Sequence, residues 1–465
     1  MMFRRLLQLT PIALALAGCA VGPDYQRPAA ALPTAYAEAA PAPRNAAVDT
    51  RWWALFNDAT LNDLVDRALA GNADLRLAVA RVEQADAAAR EAGAAFFPEI
   101  DGTASVANNR ISTLTSTYAA GASRLRNTRS AGLTTSYELD VWGRVRRNNE
   151  AARASLLASE YSRDAVRLSV AGLIAGNYLA LRAADAQLAV TAETLSSRED
   201  SLKLVRTRVE AGLVSPLDLH QAEAALAAAQ AQQADLRRAR ALAEHQLALL
   251  TGSPDLKIAA GDLRQLPLPP VPPAGLPADL IDGRPDVRQA EQQLIAANAG
   301  IGLAKAGYFP KFTLTGSLGS ESKALTDLFT AGAGTWGLGL GLLMPVLDFG
   351  RTAARVDQAK ALNQQSLIAW QDTLQTAYKE VRDALVGLRE NGEAETAQTT
   401  RADAAGKALG LARLRYDAGY SGYLEVLDAQ RTANDAQLAQ IAARQSRLAS
   451  AVDLFKALGG GWKAE

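Results

Sequence analysis

The sequence predicts an α+β membrane protein in which every chain contributes four β-strands to a barrel shared among several chains and carries two long helix hairpins. Three observations predict it. Four runs alternate apolar and polar residues with period two. Two proline-free stretches, 99–215 and 346 to the end, hold apolar residues at helical spacing. The two halves of the chain repeat one another at the level of short motifs.

Residues 1–18 read as an exported lipoprotein's signal peptide. Arg4 and Arg5 precede an apolar core, Leu6 to Ala17, of about a dozen residues, too short to span a bilayer. The core ends in Leu16-Ala17-Gly18-Cys19, which resembles the bacterial lipobox and makes Cys19 the lipidation site. Cys19 is the only cysteine of the chain. Ala20 rather than Asp after the cysteine resembles the signal for passage to the outer membrane. Acyl chains on Cys19 would anchor the N-terminus stably, and 19–50 then reads as an extended tether.

The first repeat spans 51–265, a Pro-rich linker 266–279, the second repeat 280–458, and a short tail 459–465. Asn72-Ala73-Asp74-Leu75 matches Arg284-Pro285-Asp286-Val287, and Phe96-Phe97-Pro98 matches Tyr308-Phe309-Pro310. Trp142-Gly143-Arg144 matches Phe349-Gly350-Arg351, and Val209-Glu210-Ala211-Gly212 matches Tyr416-Asp417-Ala418-Gly419. A unit of this length is one half of a fold rather than a solenoid repeat.

The strands are expected at about 99–112, 128–141, 309–321 and 335–346. In the last of these Trp336, Leu338, Leu340, Leu342 and Met344 oppose Thr335, Gly337, Gly339 and Gly341. A polar, glycine-lined face behind an apolar one fits a water-filled barrel, and runs of about ten residues cross a bilayer when tilted. Four strands cannot enclose a lumen, and lipid does not tolerate open sheet edges, so several chains must pool them. Two chains would give eight strands and a side-chain-filled interior; three would give twelve and a pore. Long helices are expected at about 144–211, 217–251, 351–417 and 423–458. The longest reach roughly 100 Å at about 1.5 Å per residue, too long to bury in one compact core.

Composition excludes several functions. The 49 basic and 49 acidic residues balance, which removes the electrostatic case for nucleic-acid binding. Two His and one Cys are a poor supply of zinc ligands. Gly332-Ala-Gly334-Thr-Trp-Gly337 has the spacing of a dinucleotide fingerprint but precedes a strand, not a helix. No Gly-x-Ser-x-Gly or His-Glu-x-x-His motif is present, so nothing points to an enzyme, and no cofactor is expected beyond the covalent lipid.

Several motifs in order resemble one family. Cys19-Ala-Val-Gly-Pro-Asp-Tyr-Gln-Arg-Pro28 looks like the mature N-terminus of outer-membrane efflux lipoproteins, and Arg51-Trp52-Trp53-Ala-Leu-Phe56-Asn57-Asp58 follows as it does there. Arg284-Pro-Asp-Val-Arg288, Ala296-Ala-Asn298-Ala-Gly-Ile-Gly302 and Tyr423-Leu-Glu-Val-Leu-Asp-Ala-Gln430 match the TolC-like outer-membrane factors. The resemblance implies a homotrimer with a 12-stranded outer-membrane barrel, continued by a long periplasmic α-helical barrel. It implies the exit duct of a tripartite efflux pump, fed by an RND-type inner-membrane transporter and gripped by a periplasmic adaptor. Two alternatives are an exit duct for type I protein secretion and a structural periplasmic lipoprotein that conducts nothing; the four amphipathic strands count against the second.

The helix hairpins turn at Gly212 to Asp218 and Gly419 to Glu425, where glycine at the end of a helix reads first as a C-cap. By resemblance these tips also meet the adaptor, making Gly212, Leu213, Ser215, Leu217, Gly419, Tyr420, Leu424 and Leu427 contact candidates. Glu425 and Asp428 lie on one helix face and match the family's constriction acids, with Glu at the first position. Three-fold symmetry would gather them into a ring that attracts cations and disfavours anions. Asp218 and Tyr416 match positions that latch the closed tips, while the arginine of that latch corresponds to Ser421 here; Arg415 and Arg206 are the nearby substitutes.

Overall fold

The computed structural model describes residues 20–30, 32–38, 50–114, 121, 123–271 and 280–460. The signal segment, Cys19, part of the tether, 272–279 of the Pro-rich linker and 461–465 of the tail lie outside the described residues. The described elements run α1 (Ala59–Gly71), α2 (Ala73–Ala94), β1 (Glu99–Arg110), β2 (Leu125–Leu139), α3 (Arg144–Glu210) and α4 (Pro216–Thr251), then α5 (Pro285–Lys305), β3 (Lys311–Ser322), β4 (Gly334–Leu343), α6 (Arg351–Asp417) and α7 (Tyr423–Ala457). Their bounds lie within a few residues of those read from the sequence. The chain divides into two compact units: Met1–Pro28 with Val82–Ala158 and Ala290–Trp370, and Ala29–Arg81 with Ser159–Gln289 and Gln371–Glu465. Each unit draws on both halves of the chain, so the division in space is not the division along the sequence.

The four strands of the first unit form one antiparallel sheet in the order β1-β2-β3-β4. Its register sorts the side chains. Gly102 pairs with Leu133, Leu133 with Leu318, and Leu318 with Trp336. Tyr137, Leu314 and Leu340 form a second row and Leu139, Phe312 and Leu342 a third on the same face. Asp101, Thr134, Ser317 and Gly337 form a row on the opposite face, as do Ser136, Thr315 and Gly339. The strands therefore put their apolar sets on one side, with Leu343 at the end of β4 and Arg129 of β2 as exceptions, because the period of side-chain direction is two and the pairing keeps phase across all four strands. The apolar side is bare: Trp336 is 80% and Leu338 75% exposed. The two outer strands, β1 and β4, each have one neighbour within the sheet.

The motif repeated at the head of each long helix has a local cause. Asp140 accepts the Val145 and Arg146 backbone N–H groups at 2.9 Å each, and Asp348 accepts those of Gly350 and Thr352 at 3.0 and 2.9 Å. Both carboxylates satisfy orphan donors at a positive helix end. The glycine between cap and helix is left-handed in both, Gly143 at φ +78° and Gly350 at φ +86°, a conformation glycine adopts without penalty. The 67-residue helices α3 and α6 follow.

The second unit holds the main core. Trp52, Trp53 and Phe56 meet Leu61, Leu64 and Val65 of α1, Ile174 and Tyr178 of α3, Leu247 of α4, and Leu448 and Phe455 of α7. Trp52 stacks on Phe455 with ring centroids 5.4 Å apart. Asp58 caps α1 through the Leu61 N–H and accepts the Tyr178 hydroxyl at 2.7 Å. A buried ionic cluster fastens the chain after α4: Asp185 accepts from Arg240 at 2.7 Å and from the Gly261 N–H at 3.0 Å, while Arg182 and Arg240 donate to the carbonyls of Ala259 and Ile258. Among the described residues no helix is long and apolar enough to cross a membrane, and no cluster of His, Cys, Asp or Glu could hold a metal ion.

Candidate functional site

The two helix-hairpin tips lie in the second unit and are built alike. At the end of α3 the Leu213 N–H reaches the Arg208 carbonyl at 2.8 Å and the Gly212 N–H the Val209 carbonyl at 2.9 Å. At the end of α6 the Tyr420 N–H reaches Arg415 at 2.8 Å and the Gly419 N–H reaches Tyr416 at 3.0 Å. Both are Schellman turns, with Gly212 and Gly419 left-handed at φ +72° and +77°. The next helix starts differently in the two. Ser215 caps α4 by accepting the Leu217 N–H, with Pro216 in the first turn; Gly422 precedes α7 with no side-chain cap.

These turns leave large apolar side chains outside. Tyr420 is 80%, Leu213 73%, Leu217 62% and Leu424 61% exposed. Leu427 instead packs, half-buried, against the small cluster Val205, Ala222 and Tyr423, as do Tyr416 and Val209. Large apolar side chains left exposed together at these turns make them a candidate interaction surface.

The acids of the tip are already paired within the chain. Glu425 meets Arg415 of α6 at 3.1 Å, and Asp428 meets Arg431 on its own helix at 2.8 Å. Arg206 meets Glu223 at 3.6 Å, which also contacts His220. All of these pairs are exposed, so each contributes less than about 1 kcal/mol and is screened by salt. Their effect is on field rather than stability: each carboxylate brings its own cation. Arg415, by its place in the sequence a stand-in for the latch arginine, meets Glu425 in the structure. Arg431, four residues before Asp435 and three after Asp428, is a partner that sequence reasoning missed, although its spacing on the helix was visible.

Tyr416 and Asp218 are not joined by a side-chain hydrogen bond among the described residues. The Tyr416 ring lies 5.9 Å from that of Tyr423, and the Arg208 guanidinium sits 4.9 Å above it. The Tyr416 hydroxyl and the Ser421 hydroxyl are buried without a partner. Burial pushes the Tyr423 phenol up, with the neighbouring Tyr416 and the Asp218 carboxylate acting in the same direction. Behind the tip, a cavity of about 440 Å³ opens between α3, α6 and α7, lined by Ser197, Asp200, Arg413, Tyr416, Tyr423 and Gln430. Arg413 donates to the Ser197 hydroxyl across it at 2.6 Å. Nothing in this geometry unites a nucleophile with a base. What it offers is a recess of polar and aromatic groups behind an apolar rim.

The chain matches a family model described as outer membrane efflux protein over residues 64–253 and 276–460. It is 38% identical over 459 residues to the toluene efflux pump outer membrane protein TtgI of Pseudomonas putida, covering 97% of each chain. It is 37% identical over 456 residues to outer membrane protein OprJ of Pseudomonas aeruginosa, covering 97% of this chain and 95% of the other. Among solved structures, the CmeC outer membrane channel of Campylobacter jejuni superposes with a TM-score of 0.90 at 28% identity, covering 96% of both chains. The open state of the MtrE outer membrane channel of Neisseria gonorrhoeae gives 0.87 at 31% identity, covering 96% and 99%.

Proposed function

Because the chain belongs to the outer membrane efflux protein family and so acts as the exit duct of an efflux pump, we propose that three copies pool their sheets into one 12-stranded barrel. The observation that carries this reading is the sheet itself. It has one continuous apolar face, one polar and glycine-lined face, and a free edge on each of its outer strands. Such a sheet is stable in lipid only when its edges are closed and its apolar face meets hydrocarbon. Three copies close it around a lumen wide enough for solutes. The sequence repeat fits this use, since each copy of the repeat supplies one strand pair and one long helix hairpin.

The long helices of three copies then form the periplasmic barrel, and their tips meet an adaptor through Leu213, Leu217, Tyr420 and Leu424. An RND-type transporter in the inner membrane supplies the energy, and the duct conducts small molecules such as drugs passively. Cys19 carries the lipid anchor. At rest the tips narrow the duct, with Tyr416, Asp218, Glu425 and Asp428 nearest the constriction.

Planar-bilayer conductance of purified trimers tests the reading. The expected result is a small single-channel conductance in the wild type that rises in Glu425→Ala/Asp428→Ala. Trimers that insert and yet carry no current in either form would overturn the duct; an unchanged conductance in the double variant would overturn the carboxylate constriction alone.

A further inference from the structure

Between Asp101 and Glu138 the sequence has no acid, and it has Arg110, Arg124, Arg126 and Arg129. All four lie toward the end of the β1–β2 hairpin that is remote from α3. The register sorts them by face. Arg129 is four residues from Leu133 on β2 and therefore stands on the apolar face, in a row with Val106 and Ser322. Arg110, opposite Leu125, stands on the same face two rows further out, with the pair Asn108 and Asn127 in the row between. Arg126, opposite Asn109, is on the polar face.

Charge enters the apolar face at one depth. From Leu139, where β2 ends, to Arg129 the strand rises about 33 Å at about 3.3 Å per residue. At the tilt of about 35–45° usual for barrel strands this is about 23–27 Å of depth, against an apolar band of about 25 Å. Over that height none of the four strands puts a charged side chain on this face. The cost of a lipid-facing arginine is highest at mid-depth and falls toward zero at the interface, so Arg129 stands at the first level where lipid tolerates one. Arg110 lies about 13 Å further along the strand, or about 9–11 Å in depth at the same tilt. The headgroup layer beyond the hydrocarbon is about 5–8 Å thick, and the two arginines bracket it.

Their charges are not used within the chain. Nη1 of Arg129 donates to Asn108 Oδ1 and to the Thr128 carbonyl at 3.1 Å each, which holds the guanidinium over β1. Among the described residues no acid pairs with Arg110, Arg126 or Arg129.

We propose that Arg129 and Arg110 form a binding site for the anionic phosphate of a lipid headgroup in the outer leaflet. The site rests on the reading of the sheet as part of a lipid-facing barrel whose long helices leave on the periplasmic side. A guanidinium presents paired N–H groups that match phosphate oxygens, and the two asparagines add neutral donors between them. Free phosphate offers the same oxygens. A lipid also covers what lies below Arg129 on the same face, where Leu133, Leu318 and Trp336 are all exposed. Headgroup and acyl chains then meet one continuous surface.

Native mass spectrometry of full-length trimers in neutral detergent, titrated with phosphatidic acid, with phosphatidylcholine or with inorganic phosphate, tests the proposal. Wild type should bind phosphatidic acid more tightly than Arg129→Gln by about 5-fold and than Arg110→Gln/Arg129→Gln by about 30-fold, from the usual gain per arginine at an anionic surface. Arg126→Gln removes the same charge from the polar face and should match wild type. Phosphatidylcholine, whose phosphate is balanced by its own ammonium, should bind weakly and equally to all forms. Unchanged affinity in the double variant, or a loss in Arg126→Gln equal to that in Arg129→Gln, would overturn the site. Displacement of phosphatidic acid by inorganic phosphate at equal concentration would overturn the lipid as its occupant. Insertion into phosphatidylcholine nanodiscs reads the barrel separately. Protein that enters no nanodisc as a trimer would overturn the barrel and the site together; trimers that enter and show no preference for phosphatidic acid would overturn the site alone.

Discussion

Arginine placed at Leu338 and at Ser317 tests the two-faced sheet most directly. Both positions are central in their strands, β4 and β3, and they lie on opposite faces. Leu338 is 75% exposed and pairs with Gly316, so no neighbouring side chain shields it. On the lipid face at mid-depth an arginine costs about 2–4 kcal/mol per chain. In the proposed trimer three copies add to about 6–12 kcal/mol, or roughly 10⁴- to 10⁹-fold in the equilibrium of the inserted assembly. Ser317 shares its row with Thr134 and Gly337, and an arginine there would reach a water-filled lumen at a cost of about 0–1 kcal/mol. The assay is folding into vesicles of defined thickness, read as the fraction of trimers that withstand detergent on gels across a urea series. Leu338→Arg should lose the trimer band and Ser317→Arg should keep it with a lower conductance. Equal loss in both, or retention of Leu338→Arg with loss of Ser317→Arg, would refute the assignment of faces.

Other consequences follow from the second unit. Arg415→Ala/Arg431→Ala unpairs Glu425 and Asp428, so reversal potentials across a salt gradient should shift toward cations, while stability changes by less than about 1 kcal/mol because both pairs are exposed. Asp185→Ala leaves the buried Arg182 without its carboxylate and Arg240 with Glu244 alone, and should cost about 3–5 kcal/mol in chemical denaturation. Trp52→Ala empties a fully buried site stacked on Phe455 and should cost about 3–5 kcal/mol by the same measure. Glu244 gives a pH dependence. Burial raises its pKa, but the Ile258 N–H, Lys257 and Arg240 outweigh burial and hold it below the ordinary glutamate value. A depressed folded pKa contributes stability that is complete above the unfolded value and is lost as pH falls through the folded one. The thermal midpoint of the wild type should therefore drop more steeply than that of Glu244→Gln on acidification below the ordinary glutamate range.

Much of the tip is legible in the sequence. Gly212 and Gly419 mark helix ends because a left-handed residue is needed there, and their distance from the next helical run sets the turn. The exposed leucines could be named because they fall in those turns. The state of the acids could not. Glu425 meets Arg415 only because α6 and α7 come together at the hairpin, and the sequence places those residues ten apart across a turn of undetermined geometry. The Arg27–Glu291 pairing was equally hidden: Glu291 reads as one polar position on a helix until Arg27, 264 residues away, is set against it.

By itself the sequence determined what each segment is, because helix and strand periodicity, caps and glycine turns are local and leave a local pattern. It determined that each strand has a lipid-like face and a water-like face. Only the tertiary structure decided that β2 lies beside β3 across the whole first helix hairpin, with Leu139 opposite Phe312 and every apolar residue in phase. The alternation limits the register to those that keep the apolar faces in phase, but which strands pair over that distance depends on the packing of everything between, which leaves no mark in the order of residues.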